Sequence, residues 1–189
     1  TSFVMNLLKD FEKRSFSVLF VDIFNITSHK DFLHQMLRAL HSKKTWTDHL
    51  KKIGKELVKV RPKLTTDIDD RTGQASLGLS FESLNEKDVK EQIQDVLADL
   101  DSLGQHVIIV IDEFQKVTEI DDQGWLEATL RTYMQQMRKT SFLFTGSRRT
   151  IIYDMLNNPI RPFYRSCQPI EFPAFGDEFT DWVIERFSE

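Results

Sequence analysis

The chain has a single cysteine, Cys167, in 189 residues. No disulfide can close within it, and a reducing, cytoplasmic setting is the default expectation. No apolar run approaches the ~20 residues that a membrane-spanning helix needs. The opening residues carry no signal-peptide pattern either, so no membrane partner is expected. His29, His34, His41, His49 and His106 do not group with Cys167 at metal-ligand spacing. His34 and His41 share one side of a helix but stand two turns apart, too far for one ion, which excludes an evident zinc centre. Internal repeats and low-complexity tracts are also missing.

What remains is an ordinary globular composition, 40% apolar and 29% charged, of a length that suits one domain. The net charge of −4 is unevenly spread. Residues 43–63 hold eight basic side chains (seven lysines and Arg61) against Asp48 and Glu56, a local +6 that leaves −10 for the rest. Such a stretch is either a solvated helix face or a surface for nucleic acid or another anion. No pattern of aromatic side chains for base stacking accompanies it.

Apolar patterning predicts alternating strands and helices. Phe3, Leu7, Leu8 and Phe11 fall on one helix face, "FSVLFVDIF" (16–24) suits a buried strand, and Phe32, Leu33, Met36, Leu37 and Leu40 form a second helical stripe. Two β-leaning runs, 57–68 and 74–81, flank "DDRTG", where Gly73 suits a hairpin turn; Pro62 argues against a central strand there. Asn85 followed by Asp88 marks a helix start ahead of the stripe Val89, Ile93, Val96, Leu97 and Leu100. Then come a strand in "HVIIVIDEFQKV" (106–117), a helix from Trp125, a strand in "SFLFTGS" (141–147), a strand expected in "QPIEFPAF" (168–175), and a helix containing Phe179 and Trp182. This alternation predicts an α/β fold, a parallel sheet with helices on both faces and an inserted β-hairpin around 57–81.

In open parallel sheets, ligands sit beyond the carboxyl ends of the strands. Asp112 and Glu113 occupy one such end, and Thr145, Gly146 and Ser147 another. A carboxylate there can hold Mg²⁺ through its water shell while its neighbour activates an attacking water. Equally, Asp112 can cap the next turn while Glu113 is merely solvated. Arginines at such a rim either pair with carboxylates or stabilise phosphate charge.

The order of these pieces resembles the AAA+/STAND class of P-loop ATPases, and most closely the archaeal-type ATPase family. "VIIVIDEFQKV" is similar to its Walker B strand, and "FLFTGSRR" to its sensor-1 strand. "NNPIRPFYRSCQPIEFPAF" is similar to the segment that carries an arginine before the last core strand. The resemblance implies a P-loop NTPase, AAA+-like core that binds ATP and Mg²⁺. Asp112 would be the magnesium-side carboxylate and Glu113 the catalytic one; Ser147 or Arg148 would meet the γ-phosphate, and Arg165 would contact the nucleotide. "TSFVMNLL" resembles the residues just after a Walker A lysine, making Thr1 the hydroxyl that ligates Mg²⁺ and placing Ser2 near the phosphates. The G-x-x-x-x-G-K glycines and lysine, and the strand before them, do not occur in the sequence. With no initiator Met and helical rhythm at both ends, residues 1–189 are expected to be one truncated ATPase core, its first strand and a C-terminal lid or winged-helix region lying outside.

Two functions stand as expectations: an ATP-dependent molecular switch acting on a protein partner through the absent C-terminal region, with very weak nucleotide binding in this fragment; or a non-catalytic, ATPase-like interaction module. Nucleic-acid binding through 43–63 is compatible with both. If that segment binds nucleic acid, affinity will fall steeply with added salt and with Lys51, Lys52 and Lys55 all changed to Glu. Salt-insensitive binding, titrated by fluorescence anisotropy, would dismiss the idea.

Overall fold

The computed structural model describes residues 2–42, 63–68, 75–80, 85–103, 106–120, 123–171 and 176–187. In chain order the elements are α1 (Ser2–Lys13), β1 (Ser17–Asp22), α2 (His29–His41), β2 (Lys63–Ile68), β3 (Ala75–Ser80), α3 (Glu86–Ser102), β4 (Val107–Asp112), a 3-10 turn (Phe114–Lys116), α4 (Val117–Ile120), α5 (Trp125–Gln136), β5 (Thr140–Phe144), α6 (Arg149–Asn157) and α7 (Asp177–Phe187). Most of the basic stretch 43–63 lies outside the described residues.

The α/β expectation holds. β1, β4 and β5 form a parallel sheet in the order β1-β4-β5. Ser17 pairs with Val107 and Asp22 with Asp112 on one side of β4; Val107 pairs with Thr140 and Ile111 with Phe144 on the other. Every residue of β4 is buried, as its unbroken apolar run demands when both faces are covered. Alternate side chains go to opposite faces. Val107, Ile109 and Ile111 join Leu19 and Val21 beneath α2, α3 and α5, whereas Ile108 and Val110 join Val18 beneath Val4 and Leu8 of α1. β2 and β3 form the separate antiparallel hairpin, with Lys63 opposite Ser80 and Ile68 opposite Ala75.

Helix starts follow side-chain chemistry. Asn85 accepts from the Asp88 N–H at 2.9 Å, as its spacing implied, and Ser28 accepts from the Asp31 N–H at 3.2 Å. Among the described residues no helix is long and apolar enough to cross a membrane.

One expected strand, over 168–175, is not seen in its described half. Residues 168–171 take no regular structure, and 172–175 lie outside the described residues. Pro169 cannot donate to a ladder. Glu171 is drawn sideways to Arg149, at 2.8 Å, and to the Tyr153 hydroxyl, leaving Ile170 74% exposed. Arg165 is therefore followed by irregular backbone over 168–171.

The chain after α6 is fastened from below. Glu127, in the first turn of α5, is only 2% exposed and pairs with Arg161 at 3.0 Å. Its other oxygen accepts from the Phe163 N–H at 3.3 Å. Arg131 donates to the Pro162 carbonyl. The Phe163 ring is fully buried, 5.1 Å from Phe114 and 5.2 Å from Phe144, against the elements that carry the rim. Removing the countercharge from a buried carboxylate is costly. Arg161→Met should lower stability by about 2–3 kcal/mol in urea unfolding, whereas Arg148→Met, which breaks an exposed pair, should change it by less than about 1 kcal/mol.

Candidate functional site

The three parallel strands end together, and their last polar residues share one rim. Asp112 closes β4 and is 5% exposed. Its Oδ1 accepts from the Glu113 N–H at 3.2 Å and from the Thr145 hydroxyl. Backbone bonds carry the β4–β5 ladder past the strand ends: Thr145 N–H to the Ile111 carbonyl at 3.0 Å and Phe114 N–H to the Thr145 carbonyl at 2.8 Å. Asp22, opposite Asp112, accepts from the Phe24 N–H at 2.9 Å and so caps its own turn.

Glu113 adopts the left-handed region, at φ 60° and ψ 40°. Backbone of this kind is uncommon for a residue with a side chain and concentrates at functional sites. The conformation stops β4 abruptly and sends the Glu113 carboxylate across to the β5 side. There its Oε2 accepts from the Ser147 hydroxyl at 2.8 Å and from the Gln115 side-chain amide.

α1 turns back along β1 through residues 14–16, where Phe11 meets Phe16 at 5.9 Å. Twelve helical residues rise about 18 Å and six strand residues about 20 Å. The amino end of α1, beginning at Ser2, thus returns toward the end of the sheet where Asp22 and Asp112 stop. A helix amino end directs unpaired N–H groups and positive partial charge outward, which favours an anion.

The expected site residues divide by position. Asp112, Glu113 and Ser147 are brought together. Arg148 stands beside them, but its guanidinium pairs with Glu119 at 3.0 Å. The Lys116 ammonium, bonded at 2.6 Å, and Arg148 hold the Glu119 carboxyl below the usual carboxylate range. Arg149 pairs with Glu171. Arg165, left-handed at φ 51°, donates its N–H to the Leu156 carbonyl at 2.9 Å and lies over the Tyr164 ring. It lines a cavity of about 260 Å³ with Ile152, Tyr153, Leu156 and Cys167. Ser2 opens α1, and Thr1 lies outside the described residues.

Among the described residues no three His, Cys, Asp or Glu side chains converge as a metal cage. Mg²⁺ does not need one, since it keeps several waters and is held by one or two carboxylates together with substrate phosphates. The single carboxylate of Asp112, fixed by Thr145 at the strand end, fits that donor set.

The AAA domain family matches residues 1–152. The chain belongs to that family. It is an α/β P-loop NTPase core of nucleotide-binding, ATPase-like type. No curated protein matches the chain.

Three polar residues of this AAA domain escaped sequence reasoning. Gln115 lies within the quoted strand-end motif, but a short 3-10 turn has no periodicity to flag it. Glu127 did leave a signal, a charge one position after Leu126 on the buried side of a helix. Glu119 has none. Cys167 is no nucleophile candidate, because burial pushes its thiol up to about 11. Its alkylation by iodoacetamide should be slow at pH 8 and climb close to tenfold per pH unit toward 11. A rate that levels off near pH 8.5, the midpoint of an ordinary thiol, would contradict this burial.

Proposed function

We propose that this AAA domain is the core of an ATP-binding and ATP-hydrolysing molecular switch of the STAND, archaeal-type kind, working in the cytoplasm. The observation that carries the reading is the left-handed Glu113 at the end of β4, beside Asp112 and bonded to Ser147 of the neighbouring strand end. A buried strand that ends in a strained carboxylate, with a second carboxylate anchored behind it, suits water activation next to a metal-bound phosphate.

In this reading Asp112 would hold Mg²⁺ through its water shell, with the Thr1 hydroxyl as a second ligand. The ion supplies charge neutralisation on the phosphates when bound. Glu113 accepts a proton from the attacking water. Ser147 donates to the γ-phosphate, and the first turn of α1 at Ser2 presents N–H groups to the phosphate chain. Arg148 exchanges Glu119 for the γ-phosphate, an exchange that costs little because the pair is exposed. Arg165 contacts the nucleotide from the segment after α6. Residues 1–189 act as one core, and occupancy is passed to a protein partner through regions beyond this core.

The test is Mg-ATP binding and turnover by the intact protein and by two variants. Glu113→Gln should reduce turnover at least ~100-fold while the Kd for ATP stays within a few-fold. Asp112→Asn should weaken the Mg²⁺ dependence of binding. Absence of ATP binding by the intact protein would reject the switch and favour a non-catalytic interaction module. Turnover that survives Glu113→Gln would reject Glu113 as the base.

A further inference from the structure

We propose that Gln115 is the positioning residue that fixes the Glu113 carboxylate at the rim. This rests on the reading of Glu113 as the water-activating group. Gln115 is 2% exposed, in the 3-10 turn directly after Glu113, and its backbone carbonyl is fastened by the Thr118 hydroxyl at 2.9 Å. Its side-chain Nε2 donates to Glu113 Oε2 and makes a longer, 3.4 Å contact with Ser147 Oγ. The amide orientation is dictated by chemistry. An ionised carboxylate can only accept, so the reverse amide would press two oxygens together.

That orientation leaves Gln115 Oε1 buried with no hydrogen-bond partner. A buried acceptor left unsatisfied costs about 1–3 kcal/mol, yet the fold has made room for it. A Cβ added at Gly146 would lie 2.2 Å from this oxygen. Gly146 is thus the notch into which the amide oxygen fits. A residue kept only to complete a turn would not need a notch in the opposite strand end or an aligned donor on Glu113.

The reason for a second donor lies in Ser147. Its hydroxyl has one proton, which goes to Glu113 at 2.8 Å. A phosphate arriving at the rim competes for that same proton. Once Ser147 turns to the phosphate, Glu113 keeps only the Gln115 amide. Buried and wedged against Gly146, that amide cannot follow the phosphate, so it holds the carboxylate in the same place before and after nucleotide arrives. Gln115 is the fixed partner and Ser147 the exchangeable one.

Two variants reach this contact from opposite sides in the intact protein. Gln115→Met keeps length and removes the donor; Gly146→Ala keeps the donor and displaces it. Each should lower kcat about tenfold or more while the Kd for Mg-ATP stays within about twofold and the protein remains folded by circular dichroism. A nucleotide-free readout accompanies them: the Gln115 side-chain amide resonance in ¹⁵N NMR should move on Glu113→Ala and again on Ser147→Ala. An unchanged kcat in folded Gln115→Met, or a loss carried by Kd alone, overturns the proposal. So does an amide resonance that ignores Glu113→Ala. If the wild-type protein shows no turnover, the ATPase reading fails by itself, and the resonance still decides whether Gln115 holds Glu113.

Discussion

A strand paired on both edges and covered on both faces has only its ends at which to meet water. β4 is such a strand: β1 and β5 take its two hydrogen-bonding edges, and α1 and the α2, α3, α5 layer take its two faces. Its interior must be apolar, and any chemistry it carries must begin where pairing stops. Asp112 is the last residue of the strand itself. Glu113 is the first beyond it, and its left-handed backbone is the device by which the chain leaves the sheet. The polar rim is the outcome of that burial.

Around this point the structure trades flexibility for placement. Thr145 fastens Asp112, Ser147 and Gln115 fasten Glu113, and Gly146 gives up a side chain so that Gln115 can be there. A second group of contacts lies outside the rim. Glu127 and Arg161 tether the chain after α6, and Phe163 presses on Phe114 and Phe144, the first residue of the 3-10 turn and the last of β5. In contrast, the Arg148 guanidinium beside the rim is held by an exposed pair with Glu119. The site thus joins tightly held carboxylates to a loosely held cation, the arrangement expected where an anion must be admitted.

Much of this was legible in the sequence because burial writes itself into patterning. "VIIVID" cannot be anything but an interior strand once helices flank it, and Asn85 with Asp88 announces a helix start by side-chain chemistry alone. The meeting of Asp112, Glu113 and Ser147 was also foreseeable, since parallel strands must end on one side. What stayed hidden was decided by contacts far apart in the chain. "QPIEFPAF" has the apolar content of a strand, but Pro169 and the pull of Arg149 and Tyr153 on Glu171 prevent one from forming over 168–171. Gln115 and Glu127 are buried polar residues whose settings are completed far along the chain: the notch that receives Gln115 is at Gly146, 31 residues on, and Arg161, the partner of Glu127, is 34 residues on. Periodicity has no means of naming a partner at that distance.

The register of the sheet also bears on the order of assembly. Val107 pairs with Thr140 across 33 residues but with Ser17 across 90. With loop-closure entropy growing as the logarithm of length, the second pairing costs about 0.9 kcal/mol more than the first before any contact compensates. The β4–α5–β5 unit is therefore favoured to close first, with β1 docking onto an edge already formed. Asp112, Glu113, Gln115 and Ser147 all belong to that unit, so the carboxylate part of the rim on β4 and its partners depends on one local crossover and not on the longer-range pairing with β1.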